Sequence, residues 1–217
     1  MSEIIISILK GTWYLWLIMF LFVVVTPILI KIFKPKIKGY IGEKNVALLL
    51  ATLDKKKYQT INDLIIKIEG ESTQIDHIVV SNYGIFVIET KNYKGWIVGR
   101  EYDNYWKQVI YKEKNNFPNP IKQNEYHIKF LKSALKIFPQ VKYYPIVSFA
   151  SGAEIKVNTT GDVVHEEFLL RTITKYRTEI ISNDLKNKIF AYLKSTRELN
   201  AKYKKEHIQN IKIKRKT

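Results

Sequence analysis

The chain has 217 residues, with 36 lysines and arginines against 20 aspartates and glutamates, a formal net charge of +16 and a pI near 9.7. That length holds one domain with appendages, and the absence of cysteine excludes disulfides and thiolate metal sites. The charge points to a polyanionic partner, nucleic acid or an anionic membrane surface, although a genome-wide bias toward Lys, Ile and Asn would produce the same balance. His77, His127, His165 and His207 are scattered without zinc-ligand spacing.

No charged residue lies between Lys10 and Lys31. The segment Gly11–Ile30 is rich in Trp, Leu, Ile, Phe and Val, and as a helix it spans roughly 30 Å, the thickness of a bilayer core. Trp13, Tyr14 and Trp16 sit at one end, where interfacial aromatics belong, and Pro27 near the other end is tolerable there. The competing readings are a buried helix, which would not be apolar on every face, and a cleaved signal, which would need a small-residue site. Lys31-Ile32-Phe33-Lys34-Pro35-Lys36 follows instead. Residues 1–37 therefore read as an uncleaved anchor and a basic linker. Lys31, Lys34, Lys36 and Lys38 place the following domain in the cytoplasm and the N-terminus outside by the positive-inside rule.

Gly42–Leu53 has helical spacing, with Val46, Leu49, Leu50 and Leu53 on one stripe and Glu43 in its first turn. Strands are expected at Tyr58–Lys67, Thr73–Val80, Gly84–Lys91, Trp96–Arg100, Tyr105–Tyr111 and Tyr144–Phe149, with turns at Gly70–Thr73 and Ser81–Gly84. Phe117–Pro120 reads as a loop and Ile121–Phe138 as a helix. Glu166–Tyr176 and Asn183–Tyr203 are helical, the second capped by Ser182, and the basic tail Lys204–Thr217 frays. Helix, strands, helix, strand describes an α/β domain with a mixed sheet flanked by helices. Residues 151–203 complete that domain.

The stretch Gln74–Lys91 reads as a hairpin carrying Asp76 on its first strand and Glu89 and Lys91 on its second. Side chains alternate along a strand, so Glu89 and Lys91 share a face. Two carboxylates converging at the end of an apolar sheet form an oxygen-ligand site of the kind Mg²⁺ takes. A salt bridge from Asp76 to a lysine is the plainer alternative, since a buried carboxylate needs some partner. Glu89 and Lys91 could form only a solvated strand end, but the run Ile85–Ile88 before them is apolar on both faces, as in a buried central strand.

This chain resembles the PD-(D/E)xK nuclease superfamily in Asp76 followed by Glu89-Thr90-Lys91. More narrowly it resembles the nuclease-related domain, NERD, in Gly39-Tyr40-Ile41-Gly42-Glu43, Ile75–Val79, Gly84–Gly95, Trp106, and Asn119–Asn124 with His127. The matching pieces run over roughly residues 38–150. The resemblance implies a restriction-endonuclease-like fold whose central hairpin carries the acidic residues. It implies Mg²⁺ or Mn²⁺ held by Asp76, Glu89 and the Thr90 carbonyl, with Lys91 positioning water or stabilising charge. Glu43 and Gln123 would complete the catalytic group.

Glu43 alone could merely complement the helix dipole. Gln123 and His127 are i and i+4 on one helix face. For His127 the expectation is a polar helix surface, and His77 should point away from Asp76 as a packing residue. Tyr93, Lys94, Trp96, Tyr102, Tyr105, Trp106 and Lys107 interleave aromatic and basic groups, which suits base stacking and phosphate contact or cross-strand packing. The functional expectation is a membrane-anchored nuclease acting on DNA. The alternatives are a non-catalytic membrane-tethered module that binds nucleic acid or protein, and a basic surface that contacts anionic lipid.

Overall fold

The computed structural model describes residues 2–138 and 141–214, with side chains described for 12–138 and 141–200. The side chains of the basic tail, His207 among them, lie outside the described residues. The chain divides into two compact units, Met1–Ile41 and Gly42–Thr217.

Helix α1 (Ser2–Leu50) makes up the first unit and opens the second. In the first unit, residues 13–24 are exposed apolar side chains on every side, Phe22 at 69 %. This helix is long and apolar enough to cross a membrane. The stretch 31–38, expected as a linker, is helical, with both Pro27 and Pro35 inside the helix. Each proline removes one backbone hydrogen bond, and the lysines and isoleucines around Pro35 are residues a helix accommodates.

The second unit is a mixed α/β fold. Sheet A contains β1 (Tyr58–Ile68), β2 (Glu71–Ser81), β3 (Gly84–Lys91), β7 (Tyr143–Phe149) and β9 (Asp162–His165), in the order β1-β2-β3-β7-β9. The first three strands pair antiparallel, whereas β3–β7 and β7–β9 are parallel. Sheet B contains β4 (Gly95–Arg100), β5 (Tyr105–Ile110), β6 (Glu113–Pro118) and β8 (Ala153–Asn158), in the order β6-β5-β4-β8. Two mixed sheets thus stand where one was expected. After Phe149 the chain leaves sheet A and pairs β8 with β4 in sheet B.

Strand alternation divides the core of sheet A. Ile78, Val80, Ile85 and Val87 face Ile128 and Leu131 of α2 (Pro120–Ala134) and Ile189 and Leu193 of α4 (Asn183–Lys214). Val79, Phe86 and Ile88 face Val46 and Leu50 of α1 with Leu169 and Ile173 of α3 (Leu169–Thr174). Each fully buried aliphatic or aromatic side chain of this kind contributes about 1.5–3 kcal/mol. The expected stripe on α1 is buried at Val46, Leu50 and Leu53, with Leu49 packed at its edge. Ser182 caps α4 as expected, its hydroxyl accepting from the Leu185 N–H at 3.2 Å, and α4 continues to Lys214 rather than fraying at Lys204.

Helix α2 is seated by two buried asparagines. Asn119 caps it, accepting from the Ile121 N–H at 2.9 Å, while its amide donates to the carbonyls of Glu101 and Asp103 at 2.8 and 2.7 Å. Asn124 donates to the carbonyls of Val87 on β3 and Ile146 on β7 at 2.8 and 3.0 Å. These bonds fall beside Pro145, the register partner of Val87, which has no N–H to offer the ladder.

Candidate active site

The β2–β3 ladder runs from Ser81↔Gly84 to His77↔Ile88 and stops there; the next pair would be Asp76 and Glu89. On the other side of β2, Asp63 of β1 is skipped between Asn62↔His77 and Leu64↔Ile75. It takes φ 55°, a left-handed conformation aspartate tolerates better than most residues. Asp76 therefore faces an interrupted ladder on both sides. Its side chain fills one gap: Oδ2 accepts from the Thr90 N–H at 2.8 Å.

Glu89 is 2 % exposed, and both its oxygens are engaged. Oε1 accepts from Lys91 Nζ at 2.6 Å, and Oε2 accepts from His127 Nε2 at 3.0 Å. An ionised carboxylate only accepts, so Nε2 carries the proton. Nδ1 shares a hydrogen bond with the Thr73 hydroxyl at 2.7 Å. Lys91 Nζ also donates to Gln123 Oε1 at 3.0 Å, so α2 touches both members of the Glu89–Lys91 pair.

These contacts drive the carboxyl groups apart electrostatically. Burial, reinforced by the Glu89 charge, pushes Asp76 up to about 8 against the Thr90 hydrogen bond. Burial would also raise Glu89, but the His127 hydrogen bond and the Lys91 charge outweigh it and hold the group below its ordinary value. Glu43 is raised by burial, then by the charges of Asp63 and Glu89, with Lys91 opposing. It reaches this neighbourhood because Gly42 lets α1 approach the end of β3: a Cβ there would lie 2.6 Å from the Cβ of Asn92.

The structure thus joins Glu89, Lys91 and Gln123 by direct contact, and couples Asp76 and Glu43 to them electrostatically. Thr90 joins through its N–H, a contact not foreseen from the sequence. His77 makes its own bond, Nδ1 to Asn62 Oδ1 at 2.8 Å, and burial pushes it down to about 4. His127 corrects the expectation of a helix-surface residue: it is 4 % exposed and bound to Glu89. Its i, i+4 spacing from Gln123 was the available signal. Thr73, behind it, had none.

The interleaved aromatics divide by face. Tyr93 and Trp106 pack inward against Phe117 and Phe149, whereas Trp96, Tyr102 and Tyr105 are exposed.

A model of the nuclease-related domain matches residues 38–150, more than half of the chain. The chain belongs to the NERD family. It is also 34 % identical over 182 residues to an uncharacterized protein from Bacillus anthracis, an alignment covering 82 % of this chain and 85 % of that one. No solved structure matches it. The NERD match includes the whole cluster from Glu43 to His127.

Among the described residues, no three acidic or histidine side chains form a ready-made metal cage. Mg²⁺ does not require one, since it is commonly held by one or two carboxylates and keeps several waters. Asp76 and Glu89 supply hard oxygen donors where the β2–β3 ladder ends. Asp76, raised by burial and by a like charge, is a group that a bound cation would return to its ionised form. The donor set therefore suits Mg²⁺ or Mn²⁺ and not a thiophilic metal.

Proposed function

We propose that this NERD protein is a membrane-anchored, metal-dependent nuclease that hydrolyses phosphodiester bonds in DNA. The observation that carries the reading is the convergence of Asp76, Glu89, Lys91 and Gln123 where the β2–β3 ladder ends. Asp76 and Glu89, with the Thr90 carbonyl, would hold Mg²⁺ or Mn²⁺. When bound, such a metal polarises the scissile phosphate and lowers the pKa of an attacking water.

The protein's own groups do the rest. His127 and Thr73 hold Glu89 in one orientation, so that a carboxylate oxygen stays aimed at the site. Gln123 holds the Lys91 ammonium beside it. Lys91 meets the negative charge that develops on the phosphate, where a preorganised cation is most effective. Glu43, its pKa raised by burial, supports the carboxylate pair.

The anchor reading rests on the exposed apolar surface of α1. Lys31, Lys34, Lys36 and Lys38 then place the N-terminus outside and the α/β unit in the cytoplasm. The protein should remain in the membrane fraction through high salt and alkaline wash; release by salt alone would refute a spanning helix. Full-length protein in detergent should cleave linear, nicked or single-stranded DNA only when Mg²⁺ or Mn²⁺ is present. DNA binding without cleavage under every metal and substrate would replace the nuclease with a membrane-tethered binding module.

A further inference from the structure

Sheet B has an inner and an outer face. Ile97 and Trp106 turn inward to a core with Phe117, Ile121 and Phe149. Their strand neighbours turn outward: Trp96 is 49 % and Tyr105 64 % exposed. The register sets cations around these rings. Lys107 and Lys156 flank Val98 on its two neighbouring strands, and Lys114 stands across Val109, itself the partner of Trp96. Arg100 shares this face, two residues beyond Val98 on β4. The acid on β8, Glu154, is already paired with Lys156 at 2.8 Å. Lys156 Nζ also lies 3.8 Å from the centre of the Trp96 ring, so that ring already carries a cation against its face.

We propose that the outer face of sheet B binds single-stranded nucleic acid. Trp96 and Tyr105 stack on separate bases, while Arg100, Lys107 and Lys114 meet the phosphates. Residues two apart on a strand are about 6.7 Å apart and adjacent strands about 4.8 Å, so the two rings are too far apart to stack on each other. An exposed aromatic plane set among cations on a four-stranded sheet suits unpaired bases, whose faces are open, and not a duplex, whose bases stack on one another. An anionic membrane would take the cations as well. However, the aromatic residues are interspersed with the amides of Asn116 and Asn158 rather than gathered into an apolar wedge. This surface deepens, and rests on, the reading of the domain as a nuclease for DNA. It would bring an unpaired strand to a β-strand that begins shortly after Lys91.

The test uses full-length protein in nanodiscs of neutral lipid, with EDTA to prevent cleavage. Binding of a labelled oligothymidylate of about 20 nucleotides is followed by anisotropy. Trp96→Ala and Tyr105→Ala should each weaken binding roughly 5- to 150-fold, the range for losing one stacked base, and Trp96→Phe should retain most of the affinity. Lys107→Gln and Lys114→Gln should each lower the slope of log affinity against log salt by about 1 or somewhat less. Wild-type affinity in the Trp96→Ala, Tyr105→Ala double variant overturns the proposal. So does equal affinity for a duplex of the same length. Binding to phosphatidylserine vesicles but not to the oligonucleotide overturns it in favour of a membrane surface. If cleavage is never seen but binding still depends on Trp96 and Tyr105, the surface stands and the nuclease falls. If metal-dependent cleavage is seen but binding ignores both rings, the reverse holds.

Discussion

Replacing Asp76 by asparagine separates the charge of this residue from its shape. The amide oxygen still accepts the Thr90 N–H, while the carboxylate that burial and Glu89 disfavour is gone. With its carboxyl raised to about 8, the folded wild type keeps a proton that the unfolded chain releases near pH 4. Between those values the native state binds the extra proton, so metal-free stability is greatest at the acid end. It falls by up to about 1.4 kcal/mol per unit as pH rises, and levels off above about 8. From pH 5 to 7 the Asp76 contribution is at most about 3 kcal/mol, or about 5–11 °C in Tm for a chain of this size. Asp76→Asn should flatten this slope. Metal acts in the opposite sense. It requires the ionised carboxylate, so wild-type affinity for Mg²⁺ or Mn²⁺ should strengthen by up to about tenfold per pH unit until about 8. At a hundredfold excess over Kd, metal should add about 2.7 kcal/mol to the wild type and much less to Asp76→Asn. Calorimetric melts and Mn²⁺ titrations of full-length protein in detergent, from about pH 5 to 9, measure both effects. An equal metal shift in the two proteins, or a wild-type metal affinity indifferent to pH, would refute the assignment.

Lys91→Ala should slow single-turnover cleavage by roughly 10²-fold or more while DNA affinity at fixed salt changes far less, because the many other lysines carry phosphate contacts. Lys91→Arg should not restore the full rate, and a wild-type rate in Lys91→Ala would remove the assigned role. His127→Ala strands Glu89 Oε2 and the Thr73 hydroxyl inside the protein; it should cost about 1–3 kcal/mol in a denaturant titration, and no loss would mean that the relay is slack. Gly99→Ala would place a Cβ 2.3 Å from the Trp106 ring, and overpacking of this kind costs about 1–3 kcal/mol; an unchanged Tm would show that Trp106 yields.

The hairpin was legible because two apolar runs flank a turn whose Gly84 takes φ 132°, and because parity along β3 puts Glu89 and Lys91 on one side. Neither reading needs distant information. Strand β6 escapes the sequence reading, which has a loop at Phe117–Pro120 and no element over 113–116, because Glu113–Pro118 is polar apart from Phe117 and Pro118, and only Phe117 is buried. An outer strand that buries one side chain has almost no hydrophobic period to detect. Strands β8 and β9 escaped for a related reason: they find partners in β4 and β7, and the parallel β4–β8 pairing across the chain leaves no local turn signal. That same pairing splits the expected single sheet into two. At the site, residue type and spacing exposed the acidic pair and Lys91. The contact of Thr73 and His127 with Glu89 depends on how α2 lies across the strands, which no local pattern carries.

The two asparagines under α2 bear on how this domain could change over evolutionary time. Aliphatic packing is tolerant of sliding, because one greasy contact substitutes for another. The amides of Asn119 and Asn124 are directional, each spanning two separate carbonyls. A slip by one helical turn, about 5.4 Å, would forfeit all of these bonds at once. Helix α2 is therefore indexed to the strands like a gear tooth, and Gln123 and His127 travel with that indexing. Residues on its outer side can drift without disturbing the alignment of Lys91 and Glu89. A change at Asn119 or Asn124 would disturb that alignment while leaving every titrating group of the cluster in the sequence.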